Sequence, residues 1–357
     1  MYGIVNYKDK HFDKIGPNTF LKKCILLDGT NIKVRTKKHI DVNNYFYEII
    51  KNNDDTYCLG NKIGTVGKEE DERLFLEYRN KIKWKKISKK IYEQSLNKDD
   101  PDISKRIDLT DKYCLSVDPE GSKDIDDCLH YEENKNIIEI GIHIADVSSY
   151  VIEGSELDKI LFERCESKYF PWKTHHMLGE EYSTDICSLR KVKKGDKKKR
   201  AMSLILSFDK EGSLLKKDIV CSYIINRREL SYKNAEELMI NENNYTGIYI
   251  KKLYDFGIIL KKKFELNSVN NYDIHKMVEI YMLIANIIIA EKMSLCKNNI
   301  ILRVQNKNKK NIVSEENIDD TFLLEQINKF NMDSAKYIDN VNADTYHYSL
   351  NKKFYTH

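Results

Sequence analysis

The chain contains 357 residues, with 60 lysines and arginines against 56 aspartates and glutamates, and carries a net charge of +4. A chain of this length predicts two domains, or three small ones, and can bury a core without disulfides. The hydrophobic fraction of 41% and the charged fraction of 32% exclude a disordered chain, a collagen and a disulfide-rich toxin.

The sequence predicts neither a membrane helix nor a secretion signal. No stretch approaches the ~18 to 20 continuous apolar residues of a membrane helix, and the N-terminal MYGIVNYKDK lacks an apolar core of signal-peptide length. Eight cysteines are scattered without a C-x-x-C pair, which disfavours a zinc knuckle or a redox motif. Isolated cysteines in a chain that is not secreted predict a reducing intracellular compartment, the cytoplasm or alternatively the nucleus.

The first 80 residues predict a small β domain. Four short strand patterns follow one another closely, at residues 23–27, 32–35, 46–50 and 56–59. Turn signals at Asp28-Gly29 and at residues 52–55 separate them. Strands this short and close favour a small barrel or sandwich, and an OB-like barrel is one candidate beside any other small β domain.

Residues 81–105 are predicted to be a basic linker. Six lysines between residues 81 and 90 surround a few apolar residues. A lysine run of this kind is either a solvated face, which is the more common case, or a nucleic-acid surface. The proline and three aspartates of residues 99–102 are typical of a connecting segment.

The second half of the chain predicts an α+β domain. Strand patterns occur at residues 113–117, 127–131, 137–144, 201–208 and 214–225, and helix patterns at 231–239, 249–264 and 274–295. The last helix is apolar on almost all sides, and a helix of this kind is buried. We therefore expect strands packed around a central buried helix.

An acidic segment, residues 118–127 (DPEGSKDIDD), carries five acids and one lysine between two predicted strands. Carboxylates this close repel one another and cannot all stay ionised without compensation, which a divalent cation would supply. Mg²⁺ prefers oxygen ligands, usually one or two carboxylates with a substrate phosphate. Because side chains alternate along a strand, we expect Asp124 and Asp126 to converge and Asp127 to point elsewhere. The alternative to metal-dependent phosphoryl chemistry is an acidic surface loop.

Several sequence blocks occur in a fixed order from residue 106 onward. They are RIDLT (106–110), DPEGSKDIDD (118–127), GIHIADVS (141–148), RCESKYFP (164–171), STDICSL (183–189) and EIYMLIAN (279–286). Together they resemble the ribonuclease II (RNB-domain) family of 3′→5′ exoribonucleases. The resemblance implies an α+β chain in which an OB/cold-shock-like β-barrel (1–80) and a basic linker (81–105) precede an incomplete RNB catalytic domain (106–357).

The resemblance also implies a chemistry for the acidic segment. In the family, four aspartates at this spacing bind Mg²⁺, usually two ions, and the enzyme hydrolyses single-stranded RNA to nucleoside 5′-monophosphates. We assign Asp118 and Asp127 as direct metal ligands. Asp126 is assigned to water activation or to the second metal, and Asp124 joins it as a catalytic and metal-binding residue. Two-metal sites hold their ions ~3.5–4 Å apart and stabilise both the attacking and the leaving oxygen.

Five further residues are RNA-binding candidates. Tyr169 matches the family aromatic that stacks on the terminal base, although an ordinary core tyrosine is the alternative. Glu279 lies on the buried helix and belongs either to the RNA channel or to a core polar network. Arg200 and Arg303 are candidates for RNA contacts. His143 completes the set, although its strand face, opposite the isoleucines, favours a structural hydrogen-bonding role.

Two segments have more than one possible function. Residues 190–200 (RKVKKGDKKKR) carry eight bases and one acid, and are either a phosphate-contacting loop or a solvated one. The chain ends with Tyr355-Thr356-His357, where the family continues into a Thr-Ser-Pro-Ile-Arg-Arg-Tyr block with an arginine for the scissile phosphate. We therefore expect a C-terminally truncated chain. It is either an exoribonuclease completed by a partner or a continuing chain, or an RNA-binding relative that cleaves little.

Overall fold

The computed structural model describes residues 1–6, 12–37, 44–80, 82, 84, 86–96, 99–191, 198–241, 243–266, 272–295, 300–306, 334–339 and 345–356. The chain forms two compact units, Met1–Lys86 and Ile87–His357. Each has its own apolar core.

The first unit is a small β-barrel. Its strands are β1 (Tyr2–Val5), β2 (Asp13–Gly16), β3 (Thr19–Leu26), β4 (Asn31–Thr36), β5 (Tyr45–Lys51) and β6 (Tyr57–Thr65). They are ordered β1-β5-β6-β4-β3-β2, and a further pairing of β1 with β3 closes five of them into a barrel. Helix α1 (Glu69–Arg79) follows, and its Phe75 stacks on Phe46 with ring centres 4.1 Å apart. The predicted barrel is confirmed.

The second unit is built on a seven-stranded sheet. Its elements include α2 (Lys89–Ser95), β7 (Ile107–Asp108), β8 (Cys114–Asp118), β9 (Asp127–Asn134), β10 (Ile137–Ala145), α3 (Glu156–Arg164), β11 (Lys168–Phe170), β12 (Lys173–His175), β13 (Lys199–Phe208), β14 (Leu214–Ile224) and β15 (Asn226–Ser231). The sheet order is β15-β8-β9-β10-β13-β14-β7, and β11 pairs only with β12 among the described strands. Both predicted hairpins, β9–β10 and β13–β14, are antiparallel neighbours in this sheet.

Helices cover one face of the sheet. They are α4 (Tyr232–Met239), α5 (Tyr245–Lys263) and α6 (Ile274–Ser294). Ile138, Ile140 and Ile142 of β10 point into the core that these helices share, because alternate residues of a strand face the same side. Helix α6 is buried along most of its length, as its all-round apolar pattern predicts.

The segment predicted as a basic linker differs from that expectation. Ser88 caps α2 by accepting a hydrogen bond from the Ile91 backbone, and the apolar side of α2 packs with α3. Asp100 is buried and forms an ion pair with Arg106 at the start of the sheet. Ile87, an apolar residue between the lysines, is buried where α2 packs with α3. From Ile87 onward the segment therefore belongs to the second unit.

The last described segments form a short two-stranded sheet of β16 (Leu302–Val304) and β17 (Lys336–Ile338). Leu302 packs there with Ala290 of α6. Seven described cysteines are free thiols, and Cys296 lies outside the described residues. No helix in the described part of the chain is long and apolar enough to cross a membrane.

Candidate active site

The acidic segment forms a loop between two neighbouring strands. Strand β8 ends at Asp118 and β9 begins at Asp127. Ile125 is fully buried in the middle of the loop, and its backbone amide donates to Ser188 Oγ at 2.9 Å. The Leu189 amide donates in turn to the Ile125 carbonyl at 2.8 Å. A buried apolar anchor thus holds a highly charged loop in one conformation.

The carboxylates of this loop influence one another. Burial, followed by the charges of Glu229, Asp126 and Asp124, raises the pKa of Asp118 to about 6. Burial and then Asp118 and Asp126 raise the pKa of Asp127 to about 7. Burial, followed by the charge of Asp124, raises the pKa of Asp126 to about 6. These shifts join all four predicted aspartates into one electrostatic cluster.

Asp127 was expected to point away from Asp126 because side chains alternate along a strand. The charges of both Asp118 and Asp126 contribute to its raised pKa. Residues 122–126 precede the strand rather than belonging to it, so side-chain alternation does not apply across them.

The cluster has the donor chemistry of a hard-cation site. Asp118 Oδ2 is buried and has no hydrogen-bond partner among the described residues. An orphaned, buried carboxylate oxygen beside other carboxylates is costly unless a cation or a proton accompanies it. Mg²⁺ takes oxygen ligands of this kind, so the residues present fit such an ion.

Glu229 is a fifth acid of the cluster that the sequence did not indicate. It lies on β15, whose parallel pairing with β8 places it opposite Ser116. Its charge contributes to the raised pKa of Asp118. The two residues are more than a hundred positions apart, and only the pairing of β15 with β8 brings them together.

Tyr169 lies beside the acidic loop on the β11–β12 hairpin. Its side chain is exposed, with 65% of the residue accessible, so the alternative of an ordinary core tyrosine is wrong. Its hydroxyl donates to Asp124 Oδ2 at 2.6 Å. His176 Nδ1, which the sequence also did not indicate, lies 3.8 Å from the same oxygen.

A concave pocket separates the acidic loop from this hairpin. Asp124, Tyr169, Lys173 and His176 line it, and its volume is about 460 Å³. Ligand pockets commonly enclose ~300–1,000 Å³, so the space suits a group the size of a nucleotide. The Tyr169 ring, the Lys173 side chain and the Asp124 carboxylate lie around it.

Two predicted RNA-binding residues are buried instead. His143 is fully buried, with ring nitrogens 2.8 Å from His130 Nδ1 and 2.6 Å from Ser203 Oγ, so RNA cannot reach it. Arg200 is 9% accessible and its guanidinium lies 4.3 Å from the centre of the Tyr150 ring. Both side chains serve internal packing, because their strands, β10 and β13, lie in the interior of the sheet.

The other two predicted RNA contacts lie near the last described residues. Glu279 accepts a hydrogen bond from Lys276 at 2.6 Å, and Asn286 lies 3.4 Å from the Tyr355 hydroxyl. The Arg303 amide donates to the Tyr355 carbonyl at 2.8 Å. Tyr355 thus contacts both Asn286 and Arg303, while Glu279 pairs with Lys276.

The basic segment 190–200 is only partly described. Residues 192–197 lie outside the described residues. Of the rest, Lys198 forms an ion pair with Asp108 and Lys199 is buried.

The chain has a closed small barrel and then a mixed sheet, with aspartates clustered at the ends of neighbouring strands. This is the architecture of an RNB-type protein. The RNB domain profile matches residues 106–357, and the chain belongs to this family. The family expectation from the sequence blocks is therefore confirmed.

Relatives in this family are named ribonucleases. Ribonuclease R of Aquifex aeolicus is 33% identical over 179 residues, which cover 47% of this chain and 24% of the relative. The human exosome complex exonuclease RRP44 is 29% identical over 263 residues, covering 65% of this chain and 27% of the relative. The chain spans about a quarter of the length of each of these two relatives.

Solved structures share the fold over the whole chain. Mycoplasma genitalium RNase R in complex with ribose-methylated single-stranded RNA has a TM-score of 0.74 at 17% identity, covering 100% of this chain and 66% of that one. Yeast Ssd1, described as a pseudonuclease, has a TM-score of 0.74 at 16% identity, covering 100% and 52%. The predicted α+β architecture with an OB-like barrel is confirmed by this likeness.

Proposed function

We propose that this chain is a Mg²⁺-dependent exoribonuclease that degrades single-stranded RNA from its 3′ end and releases nucleoside 5′-monophosphates. The observation that carries the proposal is the cluster of four aspartates with its orphaned Asp118 oxygen. The names of the relatives support the substrate class, and RNA in complexes of M. genitalium RNase R supports RNA as the partner.

In our proposal the four aspartates have different roles at the scissile phosphate. Asp118 and Asp127 hold the first ion, while Asp126 orients the attacking water or holds the second. Asp124, fixed by the Tyr169 hydroxyl, faces the pocket and aligns the terminal nucleotide. When bound, two Mg²⁺ ions supply activation of the water and stabilisation of the leaving oxygen.

Tyr169 is proposed to bind the terminal base. Its exposed ring offers a stacking surface that any base can use, and stacking contributes ~1–3 kcal/mol per base. Because its hydroxyl also holds Asp124, one residue connects substrate binding with the metal-binding loop. Glu279 and Arg303 are proposed to contact RNA further along its path.

A second candidate function is RNA binding with little or no cleavage. The fold is shared with yeast Ssd1, a protein described as a pseudonuclease, so the architecture does not require activity. In this alternative a partner protein or a further segment of chain supplies what cleavage needs.

The two functions are separated by the products formed from uniformly labelled single-stranded RNA with Mg²⁺. We expect progressive shortening from the 3′ end and release of mononucleotides. In Asp126→Asn, the rate should fall more than about 100-fold, since even second-shell partners of metal ligands are worth 10- to 100-fold. Asp218→Asn, an exposed aspartate paired with Lys216 on β14, is the matched control and should cleave normally. Wild-type protein that retards RNA but releases no mononucleotide would establish the binding function instead.

A further inference from the structure

A group of three metal-type ligands lies inside the sheet, apart from the acidic loop. Cys114 of β8, His130 of β9 and His143 of β10 are all fully buried. Their ligand atoms lie within 4.8 Å of one another. They occupy the face of the sheet opposite to the isoleucines of β10, so helices α5 and α6 do not cover them.

The two histidine rings are oriented toward each other by partners on their far sides. His130 Nε2 lies 3.2 Å from Glu139 Oε1, and His143 Nδ1 lies 2.6 Å from Ser203 Oγ. The remaining nitrogens, His130 Nδ1 and His143 Nε2, are 2.8 Å apart. A carboxylate or hydroxyl on the far nitrogen is the arrangement that fixes ring orientation at metal-binding histidines.

A glycine leaves the space that these nitrogens face. Gly141 stands opposite His130 in the β9–β10 ladder. A Cβ at this position would collide with His130 Nδ1 and would lie 2.8 Å from His143 Nε2. Glycine at position 141 therefore leaves space beside the two ring nitrogens that any other side chain would fill.

We propose that Cys114, His130 and His143 bind one Zn²⁺ ion. Zinc is bound tetrahedrally by thiolate sulfur and imidazole nitrogen, with bonds of about 2.3 Å and 2.0–2.1 Å. The ion takes the place of the hydrogen between the two rings, and this hydrogen moves to His143 Nδ1, which donates it to Ser203 Oγ. The thiol proton is released to solvent, and a water molecule completes the coordination. Because every ligand is buried, the ion enters during folding and has a structural role.

The protonation chemistry of the ligands agrees with this geometry. Burial, followed by neighbouring His130, holds the pKa of His143 well below its usual range, so its ring is neutral and retains a lone pair. Burial raises the pKa of Cys114 to about 12, so without a metal it is a thiol. Coordination to a divalent cation deprotonates such a thiol outright.

The proposed ion would connect strands that carry the active-site aspartates. Its ligands come from β8, β9 and β10, which are neighbours in the sheet. Strand β8 ends at Asp118 and β9 begins at Asp127. A zinc cross-link at this place holds the ends of the acidic loop at a constant separation.

The test is metal content of the full chain, unfolded in chelator and refolded with Zn²⁺ or Co²⁺. We expect one metal per chain after gel filtration, and a thiolate-to-cobalt charge-transfer band in the Co²⁺ form. This band should disappear in Cys114→Ser and persist in Cys221→Ser, a matched change at a partly buried cysteine on β14. Asp126→Asn should keep its zinc, which separates this site from the aspartate cluster.

Two results would overturn the proposal. One is refolded wild-type protein that retains far less than one Zn²⁺ per chain, a measurement that needs no variant to fold. The other is a charge-transfer band that survives in Cys114→Ser, because the sulfur ligand would then lie elsewhere.

Discussion

Single residues decide how this protein keeps mutually repelling carboxylates together. Ile125 anchors the loop from inside, while Tyr169 holds Asp124 from outside through one hydrogen bond. The sequence blocks had singled out Tyr169 only as a stacking residue. Its contact with Asp124 depends on the β11–β12 hairpin lying next to the acidic loop, which local sequence does not reveal.

The two roles of Tyr169 can be measured separately. Tyr169→Phe keeps the ring and removes the hydroxyl that donates to Asp124, so we expect RNA affinity to be kept and cleavage to slow severalfold. Tyr169→Ala also removes the stacking surface and should weaken binding by ~1–3 kcal/mol. Binding is measured by fluorescence anisotropy in Ca²⁺ and cleavage by single turnover in Mg²⁺. Equal affinity of the phenylalanine and alanine variants would contradict the stacking role.

At the level of secondary-structure elements, one buried arginine joins the segment before the sheet to its strands. Arg106 donates to Asp100 and Asp146, and its Nη1 also donates to the backbone carbonyls of Ala201 and Ser222 at 3.2 and 3.1 Å. Burial alone would raise the pKa of Asp100, but the hydrogen bonds from Arg106 and Tyr223 outweigh it and lower the pKa to about 2. The Asp100 carboxylate is therefore ionised beside a fully enclosed guanidinium.

Removing this arginine should destabilise the second unit strongly. We expect Arg106→Met to lower the free energy of unfolding by about 3–5 kcal/mol, because it removes the buried partner of Asp146 and leaves Asp100 with one described cation, Arg200, whose Nε lies 3.8 Å from Asp100 Oδ2. The matched control is Arg73→Met on α1, whose ion pair with Glu69 is exposed and contributes about 0–1 kcal/mol. Urea unfolding measures both. Similar losses in the two variants would show that the Arg106 network is not a structural connection.

For the whole molecule, the acidic cluster couples stability to pH and to metal. The pKa values of Asp118, Asp126 and Asp127 are raised from the usual 3.8 to between about 6 and 7. Between about pH 3.8 and pH 7 the folded chain binds more protons at these carboxylates than the unfolded chain does. Without metal, the free energy of unfolding therefore falls as pH rises through this range. Above about pH 7 the cluster carries its full negative charge and is most in need of a cation.

Magnesium should therefore stabilise the chain more at pH 8 than at pH 5, where protons already occupy the carboxylates. A ligand at 100 times its Kd adds about 2.7 kcal/mol to the free energy of unfolding. The measurement is the shift in Tm on adding Mg²⁺ at each pH, with Asp126→Asn as the variant in which the shift shrinks. A shift of the same size at both pH values would contradict binding at these aspartates.

The sequence predicted the elements whose patterns are local. The continuous apolar character of α6 and the isoleucine alternation of β10 both follow from which face must be buried, and both are found in the structure. The segment 81–105 was misjudged because its lysines outnumber the few apolar residues that α2 buries. Arg200 was misjudged because family blocks identify residues without stating their exposure, whereas the structural hydrogen-bonding role favoured for His143 is found.

The sequence by itself determined the family, the barrel and the identity of the four aspartates, since ordered motifs and short periodic patterns lie within a few residues of one another. Only the tertiary structure decided which groups surround them. Glu229 reaches Asp118 through the parallel pairing of β15 with β8, and His176 reaches Asp124 beside a separate hairpin. The Cys114, His130 and His143 cluster likewise exists only where three strands align. Such contacts arise from packing between distant segments, which no local pattern encodes.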